Sequence, residues 1–286
     1  MACLGAHMSI AGGYYKAVEA AHRCQCDCVQ IFTKNNNQWL AKKITTEDAA
    51  TFQARLAELE IKHPLSHSSY LINLASPDPK LWKQSVDAFI VELERAHILG
   101  IPYVVLHPGA WTTSDEAAGI RQVVRALNEV HQQFRDESTQ CLLETTAGQG
   151  TTLGWRFEQL AEMLDGVRDP NRLGVCFDTC HVFAAGYPLA SEKDYQQTMH
   201  EFNGLIGVKR IKAFHLNDSK RELGSRVDRH DHIGKGKMGV APFRHLMSDS
   251  RFRNVPMYLE TPKGEEKGKE LDVINLQKLR RMVGKK

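Results

Sequence analysis

The chain has 286 residues, with 37 Lys and Arg against 34 Asp and Glu, a formal net charge of +3. That length suits one large domain or two small ones, and so mild a charge does not by itself establish a nucleic-acid partner. No apolar run approaches the roughly 18 residues of a membrane span. Met1 to Ala11 carries no basic segment followed by an apolar core, so neither a membrane anchor nor a secretion signal is expected.

Cysteines stand at 3, 24, 26, 28, 141, 176 and 180. The count is odd and no CxxC pair occurs, which argues against a zinc ribbon or a thioredoxin-type motif. Cys24, Cys26 and Cys28 alternate as one face of a strand would, and read as ordinary buried thiols. A reducing compartment follows, hence a cytoplasmic protein, with a nuclear site if the source is eukaryotic.

Taken in chain order, short apolar runs alternate with longer helical patterns. Strands are predicted at Cys3–Ala6, Val29–Phe32, Pro64–Ser66, Tyr103–Leu106, Cys141–Leu143, Gly174–Phe177, Ile211–Phe214 and Pro256–Leu259. Between them, the clearest helix runs from Pro79 to His97, with Leu81, Val86, Phe89, Ile90, Leu93 and Ala96 on one face and Gly100 as a stop. Val123, Leu127, Val130 and Phe134 mark a second stripe, and Phe157, Leu160 and Leu164 a third. A last helix through Leu271, Ile274, Leu276 and Leu279 reads as structural. Repeated strand–helix alternation implies a parallel sheet, and the number of units suggests an α/β fold closed into a (β/α)₈ TIM barrel spanning 1–286 as a single domain. An open doubly wound sheet is the alternative, but neither GxGxxG nor GxxxxGK[ST] is present. The polar, charged stretch from Asn217 to Met238 is long enough to be functional or mobile.

Six apolar runs end in a metal-ligand side chain: His67, His107, Glu144, Asp178, His215 and Glu260. The C-terminal ends of barrel strands share one rim, so these residues would meet there. Any one such residue is more often a satisfied buried histidine or carboxylate than a ligand. All six together would be costly to pack unless paired or metal-bound. Two further pairs add donors. His181 follows Asp178 by about one helical turn. Asp228 and His230 stand two apart in the polar loop, where both could grip one ion. Five imidazoles and four carboxylates exceed the roughly four ligands of one zinc. Nitrogen and oxygen donors suit Zn²⁺, with Mn²⁺ or Fe²⁺ as alternatives, and several clustered ions suggest phosphoryl-transfer chemistry.

At these residues the sequence resembles endonuclease IV, the metal-dependent apurinic/apyrimidinic endonuclease family. The resemblance runs from Gly5-Ala-His7 to Glu260. It is carried by His67-Ser-Ser-Tyr-Leu-Ile-Asn73, His107-Pro-Gly, Glu144-Thr-Thr-Ala-Gly-Gln-Gly150, Phe177-Asp-Thr-Cys-His181, His215-Leu-Asn-Asp-Ser-Lys220 and Gly224-Ser-Arg-Val-Asp-Arg-His230. It implies a barrel with a trinuclear zinc centre that cuts duplex DNA on the 5′ side of abasic sites, leaving a 3′-hydroxyl and a 5′-deoxyribose phosphate. Trimming of blocked 3′ ends is implied as well. By the same resemblance His67, His107 and Glu144 hold one zinc. Glu144, Asp178, His215 and Glu260 hold a second, and His181, Asp228 and His230 a third. Glu144 and Glu260 are the expected catalytic carboxylates. Glu144 is expected to orient the attacking hydroxide, and the third ion to steady the leaving 3′-oxygen.

The resemblance also implies DNA contacts from Lys34, Asn37, Gln38, Trp39, Tyr70, Leu71, Lys220, Arg226 and Arg229. Core packing is the competing reading for Tyr70 and Leu71, and a solvated loop for the basic residues. Asn37 stands where the family commonly carries an arginine that inserts at the lesion. His7 ends the first strand outside the zinc set, and reads either as a partner of a ligand or phosphate, or as a buried structural histidine. A monomer is expected, with no membrane partner. The runner-up is a metal-dependent sugar isomerase or epimerase on the same barrel, from which the set His181, Asp228 and His230 would separate this chain. A non-catalytic lesion binder would have no need of the full donor set.

Overall fold

In a computed structural model that describes residues 2–283, eight parallel strands close on themselves. They are β1 (Leu4–Met8), β2 (Cys28–Phe32), β3 (Lys62–His67), β4 (Tyr103–Leu106), β5 (Gln140–Glu144), β6 (Leu173–Asp178), β7 (Ile211–His215) and β8 (Met257–Leu259). Each pairs with the next in sequence, and β1 pairs with β8 to complete the ring. Helices α1 (Tyr14–Arg23), α2 (Thr46–Glu58), α3 (Pro79–Ile98), α4 (Glu116–Gln133), α5 (Phe157–Gly166), α6 (Thr179–Ala185), α7 (Glu192–Leu205), α8 (Ala241–Ser248) and α9 (Leu271–Arg280) connect or follow the strands. The predicted (β/α)₈ barrel is the observed fold. Every predicted strand is present, most of them longer by a residue or two. The third shows the largest extension, because Lys62 and His63 are exposed and hide the strand from a hydrophobicity reading. The pairing of β2 with β3 shifts register there, and His63 takes a left-handed φ of 46°.

Period-two alternation explains what fills the barrel. Cys28, Leu65, Val105, Leu142, Cys176, Ala213 and Tyr258, one from each of β2 to β8, form a closed apolar cluster. On β1 the corresponding residue is Gly5, where a Cβ would overlap the Cys28 carbonyl, so only glycine fits. Two residues further along each strand lies the next inward layer: His7, Gln30, His67, His107, Glu144, Asp178, His215 and Glu260. The apolar layer thus closes the floor beneath a polar one at the C-terminal rim.

The outer helices pack through the expected stripes, with two corrections. On α3 the buried face holds Trp82 rather than Leu81, and it includes the polar residues Ser85, Glu92 and Arg95. On α9 Val273, Leu276 and Leu279 are buried while Ile274 is only partly covered. The cysteine run also differs from a strand face: Cys24 caps the end of α1, Cys26 lies in the following turn, and only Cys28 is in β2. All three are nonetheless buried and free. Burial pushes the Cys26 thiol up to about 12, so it is an inert thiol rather than a thiolate.

The Asn217–Met238 stretch is pinned down. Asp218–Ser219 pairs antiparallel with His230–Asp231. The Asp218 carboxylate, fully buried, accepts from the backbone of Ser219, Gly236 and Met238 at 2.7, 3.0 and 3.0 Å. This fixes the loop that carries Asp228 and His230.

Candidate metal centre

The rim layer holds six of the nine sequence-predicted donors, and His181 on α6 with Asp228 and His230 on the loop after β7 bring the other three beside them. His67, His107 and Glu144 present nitrogen and oxygen atoms within 4.8 Å of one another, and so do Glu144, Asp178, His215 and Glu260. The remaining donors meet pairwise. His181 Nε2 is 3.2 Å from Asp228 Oδ2, His230 Nε2 is 3.3 Å from Asp228 Oδ1, and the two imidazole nitrogens are 3.4 Å apart. Two ligands about 2.1 Å from one tetrahedral ion stand roughly 3.4 Å from each other, so these separations suit atoms that share an ion. The Cys180 thiol lies close to Asp228 and His230 as well. Burial pushes it up to about 12, and its Sγ donates to the Arg229 carbonyl at 3.8 Å, which leaves the nitrogen and oxygen donors better suited to a cation.

Glu144 is the centre of the cluster and is fully buried. Its Oε2 faces His67 Nε2 at 3.1 Å and His107 Nε2 at 2.9 Å, while its Oε1 faces His215 Nδ1 at 2.9 Å and His181 Nδ1 at 3.3 Å. Burial works to raise its carboxyl, but His215 and His107 outweigh that and hold it well below the usual carboxylate range. The imidazoles respond in the opposite sense. Burial would lower His67, yet Glu144 pulls it above its ordinary value. Burial would lower His181, yet Asp178 and Asp228 raise it strongly. Without cations, the pocket compensates its carboxylates with protons; divalent ions would take the place of those protons.

The chain aims most of these nitrogens with its backbone. His67 Nδ1 meets the Ser68 carbonyl at 2.8 Å, His181 Nδ1 the Thr145 carbonyl at 2.9 Å, and His230 Nδ1 the Glu260 carbonyl at 3.3 Å. Each such bond fixes a proton on Nδ1 and turns Nε2 toward the pocket, the nitrogen a bound metal would take. Asp178 caps α6 by accepting from His181 N at 2.8 Å, which sets the one-turn spacing between those residues. Asn217 donates to Asp178 Oδ2 at 2.7 Å and accepts from Glu260 N at 2.9 Å.

The residues expected to touch DNA divide into two groups. Asn37, Gln38, Lys220 and Arg229 are exposed near the rim, Trp39 and Leu71 are half-buried, and Tyr70 is 55% exposed with its ring 5.3 Å from that of His67. Lys34 and Arg226 are engaged within the protein. Lys34 is buried, with Nζ 2.6 Å from the Gln38 carbonyl and 3.4 Å from Glu92 Oε1. It anchors its loop from beneath instead of facing solvent, which corrects the expectation of a direct phosphate contact. Arg226 donates to the Gly148 carbonyl at 2.9 Å and lies over the Trp155 ring at 4.3 Å, clamping two rim loops together.

Several residues of the site escaped the sequence reading. Gln30 belongs to the inward layer and was legible in principle, two residues past Cys28 on the strand. Glu92 and Arg95 on α3 organise the loop after β2. Asn73 ties the loop after β3 to the one after β4 through Ala110, donating to its carbonyl at 3.0 Å and accepting from its amide at 2.9 Å. Gly109 permits this closeness: its φ is 109°, and a side chain there would strike Asn73.

A barrel whose rim gathers three adjoining sets of imidazole and carboxylate donors, two of them sharing Glu144, defines a candidate metalloenzyme of the TIM-barrel class. Residues 18–279 match the family described as a xylose isomerase-like TIM barrel. The chain is 48% identical over 280 residues to a Geobacter sulfurreducens protein named "Probable endonuclease 4", covering 98% of this chain and 94% of that one. A protein of the same name from Chloroflexus aggregans is 49% identical over 279 residues, covering 98% and 97%. Among solved structures, endonuclease IV from Thermus thermophilus superposes with a TM-score of 0.85 at 35% identity, covering 98% of both chains. The chain belongs to the endonuclease IV family. A D-tagatose 3-epimerase-like protein also superposes, with a TM-score of 0.72 over 97% of this chain and 96% of that one, but at 18% identity it shows the shared fold alone.

Proposed function

We propose that this protein is a metal-dependent DNA-repair endonuclease that hydrolyses the phosphodiester 5′ to an abasic site in duplex DNA, leaving a 3′-hydroxyl and a 5′-deoxyribose phosphate, and that trims blocked 3′ ends. The observation that carries this reading is the third donor set. His181 and His230 each lie within 3.3 Å of one oxygen of the Asp228 carboxylate and 3.4 Å from each other, beside two sets that already suffice for one or two ions. A barrel epimerase has no need of it.

The donor chemistry favours Zn²⁺ at three positions: the set His67, His107 and Glu144; the set Glu144, Asp178, His215 and Glu260; and the set His181, Asp228 and His230. When bound there, such ions activate water and neutralise charge on the phosphodiester oxygens. The chain's own groups do the rest. Glu144, held ionised, turns one oxygen to each of two donor sets and can accept a hydrogen bond from an attacking water, orienting it toward phosphorus. Glu260, with its amide held by Asn217, lies opposite Glu144 in the same pocket. Tyr70 and Leu71 stand at the rim beside His67, where a distorted duplex would rest. The exposed Lys220 and Arg229 offer charge to flanking phosphates.

The test is a parallel assay of the purified protein on abasic duplex and on ketohexoses, with metal content measured by mass spectrometry. Nicking of the duplex, no epimerisation and three ions per chain are expected. Epimerisation without nicking, with one or two ions, would overturn the reading.

A further inference from the structure

Gln30 is fully buried in β2 and uses its whole carboxamide on the rim layer. Its Oε1 lies 2.7 Å from His215 Nε2. Its Nε2 lies 2.6 Å from Glu260 Oε1 and 2.8 Å from His7 Nδ1. Chemistry decides which way round the amide sits. A carboxylate accepts hydrogen bonds, and the amide nitrogen is the atom placed 2.6 Å from Glu260 Oε1. The oxygen then accepts from His215, which requires the proton on His215 Nε2. Nδ1 is then the nitrogen that faces the donor set, 2.9 Å from Glu144 Oε1 and 3.3 Å from Glu260 Oε2.

His215 is thereby held differently from its neighbours. His67, His181 and His230 have their outer nitrogens on backbone carbonyls, and all present Nε2 to the pocket. His215 presents Nδ1, and its outer nitrogen rests on a side chain. The same side chain occupies Glu260 Oε1 and so turns Oε2 inward.

We infer that Gln30, backed by His7, is a positioning residue for the second donor set: it selects the tautomer of His215 and the orientation of Glu260, and so governs how tightly that set holds its cation. The inference rests on the reading of Glu144, Asp178, His215 and Glu260 as an ion site. His7 completes the device by accepting the second amide hydrogen, its ring 4.4 Å from Phe32. Carboxamide and carbonyl partners of ligands of this kind are commonly worth about 10–100-fold in metal affinity.

The experiment uses the metal-loaded protein and Gln30→Met, which matches the volume but can neither donate nor accept at these positions. Release of zinc to a chromogenic chelator is followed in time, with total zinc measured by mass spectrometry and folding checked by thermal melting of the metal-free forms. One ion equivalent is expected to leave at least tenfold faster from the variant while the remainder leaves at the parental rate. A residue that merely filled space would shift the melting of both metal-free and loaded protein and leave the release rates alone. If Gln30→Met does not fold, Gln30→Asn keeps the amide one methylene short of its partners and is expected to speed the same release. Parental release from a folded variant overturns the inference. A parent protein that binds no ion at all would instead overturn the reading of the donor set.

Discussion

Glu92 is the point at which the loops of the rim can be loosened without touching a donor. Its carboxylate is 1% exposed and accepts from Thr33 Oγ1 at 2.9 Å and from Ser69 N at 3.2 Å, with Lys34 Nζ 3.4 Å away. It therefore joins the loop after β2, which carries Asn37 to Trp39, to the loop after β3, which carries Tyr70 and Leu71. Glu92→Gln preserves volume and part of the hydrogen bonding but removes the negative charge that faces a buried ammonium. Leaving such a charge uncompensated costs about 3–5 kcal/mol. Arg95, bonded to the same Thr33 hydroxyl at 3.2 Å, brings a second cation close and offers no relief. At about 2–4 °C per kcal/mol for a chain of this size, melting should fall by roughly 6–20 °C. Lys34→Met in the same background removes the stranded charge, so the double variant should be more stable than Glu92→Gln alone. Calorimetry of the four proteins of this cycle is the assay, with zinc content and abasic-duplex affinity measured alongside. Affinity should drop in Glu92→Gln while zinc content stays constant. Strict additivity, with the double variant the least stable, would refute the idea that the pair is coupled.

Three other outcomes follow from the centre itself, and a fourth from the rim. Glu144→Gln should lose cleavage by several orders of magnitude while abasic-duplex binding largely survives; a near-parental rate in single-turnover nicking would remove Glu144 from the mechanism. Chelation should abolish activity slowly, and Mg²⁺ should fail to restore it, because imidazole-rich sets suit softer ions. Because Glu144 raises His67, and Asp178 and Asp228 raise His181, above their ordinary values, protons compete with metal for these imidazoles. Zinc uptake should therefore release protons and weaken as pH falls, which titration calorimetry in buffers of different ionisation enthalpy would show; uptake independent of pH would contradict it. Asn37→Arg should tighten abasic-duplex binding by about 1 kcal/mol and steepen its salt dependence by about one counterion, since Asn37 is exposed on the rim; equal affinities at two salt concentrations would place that loop away from the DNA.

The donors were legible in the sequence because a parallel barrel turns one-dimensional information into a ring. Each buried strand reads as a short apolar run, and the residue that breaks it at the C-terminal end must face the rim. His67, His107, Glu144, Asp178, His215 and Glu260 all obey that rule. Gln30 does not break a run: Ile31 and Phe32 follow it, so its role is visible only once the register makes it the neighbour of His215 and Glu260. Lys34 misled for a different reason. A lysine in a polar loop normally reaches solvent, and its burial depends on Glu92, a charged residue of α3 that a search for apolar stripes passes over. Arg226 is similar, since its partners Gly148 and Trp155 lie in another rim loop. Contacts between loops after different strands leave no periodic trace. The cysteine run shows the reverse error, an alternation over Cys24 to Cys28 that arises from a helix cap, a turn and a strand in succession.

Abasic-site cleavage is tested by incubating the metal-loaded protein with a 5′-labelled duplex containing a single abasic site, beside an intact duplex and a chelator-treated control, then offering the products to a DNA polymerase. One nick 5′ to the abasic site is expected, with a terminus the polymerase extends, no cutting of the intact duplex and no cutting after chelation. An uncut abasic duplex with the three donor sets loaded would contradict it, as would a nick whose 3′ end the polymerase cannot extend.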